Sequence, residues 1–369
     1  MEMLPGRTGR VSNNFWKNKK VFLTGHTGFK GGWMSIWLQI LGAEVIGYSL
    51  EPSTKRNFFD VARVGQNMHS IIGDIRDADK LSQRIKACSP EIVFHMAAQP
   101  LVRESYLNPM ETYSTNIMGT LNLFEAVRSC DSVRAVVNIT SDKCYQNNET
   151  FQAYKETDPM GGYDPYSNSK GCAELITSSY RDSFFYEGGF NSSRNVAIAS
   201  VRAGNVIGGG DWSKDRLIPD ILESFEKNMP VVIRNPNSIR PWQHVLEPLG
   251  GYLKLAERLY VDGNKFSTGW NFGPTKDCAR TVEWIVEYMR KTWGNQPEYI
   301  LDANDNPHEA NLLLLDITKA KELLGWKPKL NIEQAIEKII VWHKEYLHAS
   351  DMHIKSQEEI KEFITQENL

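Results

Sequence analysis

The chain has 369 residues, a formal net charge of −3, and 24% charged against 41% hydrophobic residues, the balance of a globular protein large enough for two lobes. That slightly acidic balance excludes a protein that lives on nucleic acid, which needs a basic face, and no apolar run approaches the roughly 20 residues of a membrane span. Five scattered cysteines (Cys88, Cys130, Cys144, Cys172 and Cys278) have neither disulfide nor zinc spacing and predict reduced thiols in the cytoplasm.

Residues 1–15 are polar at their start and lack the apolar centre of a signal peptide, so a flexible tail is expected there. From Lys20 onward, short apolar runs alternate with helical periodicity. Residues 21–23 read as a buried strand and 31–41 as a helix. Strands follow at 44–48, 70–73 and 92–96. A long helix runs from about Pro109 to Ser129, a fifth strand covers 135–139, a helix starts near Tyr166, and a sixth strand covers 196–201. Continuous apolar strands separated by helices predict a parallel sheet covered on both faces. After Gly204 the rhythm breaks into loops and short elements such as Val231-Val232-Ile233-Arg234. The expected architecture is α/β: a Rossmann-type doubly wound parallel sheet over residues 16–204. A smaller mixed α/β substrate lobe covers 205–369, with segments exchanged between the two.

Gly25-His26-Thr27-Gly28-Phe29-Lys30-Gly31 places glycines three apart, directly after the first strand and before the first helix. Such a turn needs glycine backbone angles, and a pyrophosphate approaching it needs bare backbone and the free N–H groups of a helix start. Gly25, Thr27, Gly28, Phe29, Lys30 and Gly31 are therefore candidate dinucleotide contacts. The second strand ends in Tyr48-Ser49-Leu50 without the carboxylate that usually grips the adenosine ribose, and Ser49 takes that place. NAD is the expected cofactor, while Lys55 and Arg56 leave open an NADP 2′-phosphate. Asp74, followed by Ile75 after the third strand, is placed either to meet the adenine amine or to cap the next helix.

Tyr166-Ser167-Asn168-Ser169-Lys170 puts a tyrosine and a lysine four apart, on one helix face. A lysine ammonium beside a phenol, with a cationic nicotinamide nearby, is expected to draw its pKa down from about 10 and make it a base. The histidines show no metal-ligand spacing, and no metal is expected.

Together the glycine loop and the Tyr-Lys pair resemble the extended short-chain dehydrogenase/reductase family over nearly the whole chain. So do His95-Met96-Ala97-Ala98, Asn116-Ile117-Met118-Gly119-Thr120 and the segment from Asp316 to Pro328. The resemblance implies that Ala97, Ala98 and Thr115 line the cofactor and that Tyr166 and Lys170 are the catalytic pair. It also implies a homodimer or homotetramer, formed by the long helix and the Tyr-Lys helix. His26 fills a loop position often held by glycine, where it is expected to crowd the pyrophosphate.

Thr140-Ser141-Asp142-Lys143-Cys144-Tyr145, after the fifth strand, narrows the resemblance to the sugar-nucleotide 4,6-dehydratases, in the branch that takes CDP-glucose. The implied reaction oxidises C4, eliminates water across C5–C6 and returns hydride to C6. Ser141, Tyr166 and Lys170 serve the oxidation. Elimination needs two further acid/base groups, and Asp142 and Lys143 are the candidates. Lys143 stands where most dehydratases carry a carboxylate, which leaves the C5 base open. Gln99, Asn205, Leu217, Ile233 and Arg240 are the implied substrate contacts, Arg240 because its fork suits a diphosphate. The alternatives are a 4-epimerase, a dehydratase of another nucleotide-hexose, and a non-enzymatic NAD(P)-binding sensor.

Overall fold

Strand β1 (Lys20–Thr24) reads as a continuous apolar run because both of its faces are buried. In the computed structural model, Val21 and Leu23 enter one core and Phe22 the other. The structure describes residues 14–147, 152–186, 195–294, 297–302 and 313–365. Six further strands complete the sheet: β2 (Glu44–Ser49), β3 (His69–Ile72), β4 (Ile92–His95), β5 (Ala135–Ile139), β6 (Ala197–Arg202) and β7 (Gly269–Asn271). They lie in the order β7-β6-β5-β4-β1-β2-β3, every pair parallel. The order reverses between β1 and β4, and ligands of doubly wound sheets bind beyond the strand ends at such a point. No helix among the described residues is long and apolar enough to cross a membrane.

Helices α1 (Phe29–Ile40), α2 (Ala78–Cys88), α3 (Gly119–Arg128), α4 (Pro165–Tyr180) and α5 (Leu246–Asp262) cover the sheet. Trp33, Ile36 and Trp37 of α1 share one core with Leu249, Tyr252 and Leu253 of α5. Leu81 and Ile85 of α2 meet Leu123, Phe124 and Val127 of α3 on the opposite face. Helix α4 starts where Asp164 accepts hydrogen bonds from the Ser167 amide (2.9 Å) and hydroxyl (2.6 Å), with Pro165 at the first helical position. That start fixes the direction in which Tyr166 and Lys170 point.

The six expected strands are present to within two residues at each end. The seventh, β7, was not expected: Gly-Trp-Asn is too short to show an apolar run, and it pairs with β6 from the far side of the chain. The expected long helix is interrupted. Pro109–Tyr113 passes through a wider π turn, Ser114–Met118, before α3 resumes the α geometry, and Thr115 and Asn116 sit on that turn. The expected tail is also too long. Residues 1–13 lie outside the described residues, but Phe15 packs edge-on against buried Trp16 and against Tyr260.

Candidate active site

The loop after β1 is held by its glycines. Gly25 has φ +80°, and a Cβ on it would lie 2.7 Å from the Ala97 amide nitrogen; a Cβ on Gly31 would meet the Gly25 carbonyl oxygen at 2.0 Å. Gly28 caps α1 with no side-chain hydrogen bond, and no acidic residue stands in the first turn of this 12-residue helix. The donors and partial positive charge of its N-terminus thus face the sheet's switch point, as a pyrophosphate requires. Thr24 Oγ1 accepts from the Met96 and Ala97 amides, both at 3.1 Å, and joins the β1 and β4 loops. Thr27 Oγ1 contacts Ser49 Oγ at 2.8 Å and donates to the Leu50 carbonyl at 2.8 Å.

Three expectations for this end of the cleft change. His26 does not crowd the pyrophosphate: its ring is buried inward over Gly47, with Nε2 2.7 Å from Ser70 Oγ, and burial lowers its pKa to about 4. Asp74 does not cap the following helix; Asp77 does, accepting from the Lys80 amide. The Asp74 carboxylate instead receives the Arg76 guanidinium, at 2.6–3.0 Å, and the Arg76 amide; burial raises its pKa, but the bonds from Arg76 outweigh that and lower it. Arg56 is engaged far along the chain, clasping both oxygens of Glu226 at 2.7 and 2.9 Å beside the rings of Trp212 and Tyr346. Ile75 is a core residue whose side chain packs on Gly119.

At the other end, Ser141, Asp142, Tyr166 and Lys170 are all buried and come together at the end of β5. Ser141 Oγ donates to Asp142 Oδ1 at 2.9 Å and accepts the Lys143 amide at 3.2 Å. Lys170 Nζ donates to the Ile139 carbonyl at 3.3 Å. Burial lowers the Lys170 pKa to about 8, against the upward pull of Glu174 one turn along α4. Burial pushes Tyr166 up to about 12, helped by Asp142 and only partly offset by Ser141 and Arg216. Lys143 is half-buried on the single turn Asp142–Cys144, next to this cluster.

Several neighbours of this cluster were not legible in the sequence. Gly204 is required by Asp142: a Cβ there would sit 1.7 Å from Asp142 Oδ2. Lys30, assigned to the cofactor loop, also reaches the reacting end. Burial and the charges of Lys170 and Arg216 lower its pKa to about 7, while Asp142 pulls it upward. Arg216 acts on both Lys30 and Tyr166 and pairs with Asp211 at 3.2 Å. Tyr252 is fully buried, with a hydroxyl that lacks a hydrogen-bond partner among the described residues.

Of the implied substrate contacts, Asn205 follows Gly204 in the left-handed region at φ +49°, Leu217 opens the helix Leu217–Glu226, and Arg240 lies on the short strand Ile239–Pro241. Two are used otherwise. The Gln99 amide donates to the Leu101 carbonyl (3.1 Å) and the Thr112 hydroxyl (2.8 Å), shaping its own loop. Ile233 is 2% exposed, inside a core with Ile207, Phe225 and Val231. Ala97, Ala98 and Thr115 are half-buried around the switch point, as cofactor-lining residues would be.

Residues 22–339 match the family described as GDP-mannose 4,6 dehydratase. Over 355 residues the chain is 56% identical to a CDP-glucose 4,6-dehydratase of Salmonella typhimurium, covering 96% of this chain and 99% of the relative. Among solved structures, a UDP-glucose 4-epimerase of Thermotoga maritima with UDP-glucose superposes with a TM-score of 0.77 at 22% identity, over 89% of this chain and 99% of that one. A dTDP-glucose 4,6-dehydratase of Bacillus anthracis in complex with NAD gives 0.72 at 20% identity, over 90% and 98%.

Proposed function

The chain belongs to the GDP-mannose 4,6-dehydratase family, and on that premise we propose that it converts CDP-glucose to CDP-4-dehydro-6-deoxyglucose and water, with NAD as its recycled cofactor. The observation that carries this reading is the Asp142 carboxylate, buried against Gly204, accepting the Ser141 hydroxyl at 2.9 Å and set in one buried cluster with Tyr166 and Lys170. A plain dehydrogenase has no use for an acid at that place; removal of the 6-hydroxyl requires one. The close relative supports CDP-glucose as substrate. The engagement of Arg56 by Glu226 and of Ser49 by Thr27 favours NAD over a 2′-phosphorylated dinucleotide.

The loop from Gly25 to Gly31, with Ala97, Ala98 and Thr115, would hold the dinucleotide, which would supply the hydride acceptor for C4 and the hydride donor for C6. Tyr166 receives the proton of the 4-hydroxyl, and Lys170, fixed by the Ile139 carbonyl, holds positive charge beside it. Asp142 protonates the departing 6-hydroxyl, and Lys143 serves the C5 proton. Arg240 and Arg216 supply the positive charge that a diphosphate needs. Leu107, Met110, Met118 and Leu175 are 75%, 81%, 48% and 60% exposed on neighbouring helices, an apolar face that supports a homodimer or homotetramer.

Incubation with CDP-, dTDP-, UDP- and GDP-hexoses, followed by mass spectrometry, tests the reading. CDP-glucose is expected to lose one water faster than the others at matched concentration. Equal turnover of UDP- or dTDP-glucose would remove cytidine from the assignment.

A further inference from the structure

The chemistry is divided between two elements. Tyr166 and Lys170, placed for the oxidation, stand on helix α4, whereas Asp142 and Lys143, placed for the elimination, stand on the single turn that follows β5. Both pairs must meet one bound sugar, and a misplacement of about 1 Å costs on the order of 100-fold in rate. The segment 140–145 is tied to α4 at both of its ends, and both ties converge on one carboxylate. At the near end Thr140 Oγ1 donates to Glu174 Oε1 at 2.5 Å. At the far end the tie runs through a guanidinium. Arg202 Nε and Nη2 donate to the two Glu174 oxygens at 2.9 and 2.8 Å, and its Nη1 donates to the Tyr145 hydroxyl at 2.5 Å. Tyr145 gives its own proton to Asn271 Oδ1 at 2.7 Å, while Asn271 Nδ2 donates to the Tyr154 and Asp316 carbonyls at 2.9 and 3.2 Å. Arg202 and Asn271 end the paired strands β6 and β7 in the same register, so the bracket around the Tyr145 hydroxyl is built on the sheet itself.

We propose that the Glu174–Arg202–Tyr145 strut holds the Asp142–Lys143 turn in register with the Tyr166–Lys170 helix, which makes Tyr145 a positioning residue for the elimination. The inference rests on the dehydratase reading and deepens it. Tyr145 has one proton, committed to Asn271, so it acts through the turn and not on the sugar. The bidentate pair of Arg202 with Glu174 fixes a direction as well as supplying energy, and Glu174 lies one turn beyond Lys170 on α4. Tyr145 and Asn271 are fully buried and Glu174 and Arg202 nearly so, which leaves little water to replace a lost bond. The backbone of the turn has its own anchor, the Cys144 carbonyl accepting the Gly161 amide at 2.8 Å. Loss of the Tyr145 hydroxyl therefore leaves the turn attached and frees its tilt.

Tyr145→Phe isolates the strut. The ring keeps its stack on Tyr154, 5.1 Å between centroids, and its place beside the Arg202 guanidinium, while Arg202 keeps Glu174. Single-turnover mixing with CDP-glucose is read by reduced-nicotinamide absorbance and by the mass of the product. The variant is expected to form reduced nicotinamide within about three-fold of the wild-type rate and then to release water about 10- to 100-fold more slowly, so that the reduced signal persists. Its crystal structure is expected to show the turn 142–144 displaced by about 1 Å against an unmoved α4. Tyr154→Phe removes a hydroxyl from the other ring of the stack, one that donates to Asn147 at 3.1 Å, and is expected to leave both steps within a few-fold. The strut is wrong if Tyr145→Phe slows oxidation as much as elimination, if it slows neither, or if Tyr154→Phe reproduces its pattern. A turn that stays in place in the crystal structure overturns it whatever the kinetics. Failure of wild type to release water from any nucleotide-hexose would overturn the dehydratase reading instead, and the comparison of crystal structures would still decide the strut.

Discussion

Tyr166→Phe is expected to lose roughly two to four orders of magnitude in turnover while still binding dinucleotide and CDP-glucose. The ring is buried at the start of α4, so phenylalanine fills the same space. What disappears is the hydroxyl proposed to take the proton of the sugar's 4-hydroxyl. The stability cost of losing one hydroxyl is small, about 1 kcal/mol. The result to look for is therefore a fall in kcat with dissociation constants nearly unchanged, measured by steady-state turnover and by dinucleotide titration. Turnover within a few-fold of the parent would take Tyr166 out of the chemistry.

Glu174→Gln is expected to destabilise the fold by about 3–5 kcal/mol, because it leaves a buried guanidinium without its counter-charge. Glu174 and Arg202 are 4% and 5% exposed in their side chains and meet at 2.8 Å. Thr140 and Ser200 also donate to the Glu174 carboxylate, and Arg202 donates on to Tyr145. The glutamine keeps the shape but not the charge, so Arg202 becomes an uncompensated cation. Thr140 immediately precedes Ser141, so a looser network also loosens the reacting end of β5. Urea unfolding of wild type and variant measures the cost. A change below about 1 kcal/mol would mean that the pair is dispensable to the fold.

Much of the sheet could be read in the sequence, because strands buried on both faces write continuous apolar runs and the glycine loop needs specific backbone angles. Strand β7 could not, since three residues borrowed from the far half carry no period. The Tyr166–Lys170 spacing and the Ser141-Asp142-Lys143 segment lead to one common place, because helix geometry and a strand end fix their direction. The burial of that cluster is not legible in the spacing. Sequence spacing puts Lys170 beside Tyr166, but the fold spends its ammonium on the Ile139 carbonyl and lets burial dominate the phenol. His26 was likewise misjudged, because whether a loop side chain turns outward or inward depends on Gly47, a glycine on a neighbouring strand. Gly204 comes to Asp142 from the end of β6, a distance along the chain that no local pattern reports.

The central claim is an internal oxidation and reduction of one sugar, and CDP-glucose carrying deuterium at C4 tests it most directly. The account predicts a product lighter by one water, with the label at C6 and no accumulation of reduced dinucleotide. Label kept at C4, or reduced nicotinamide building up in step with product, would contradict it.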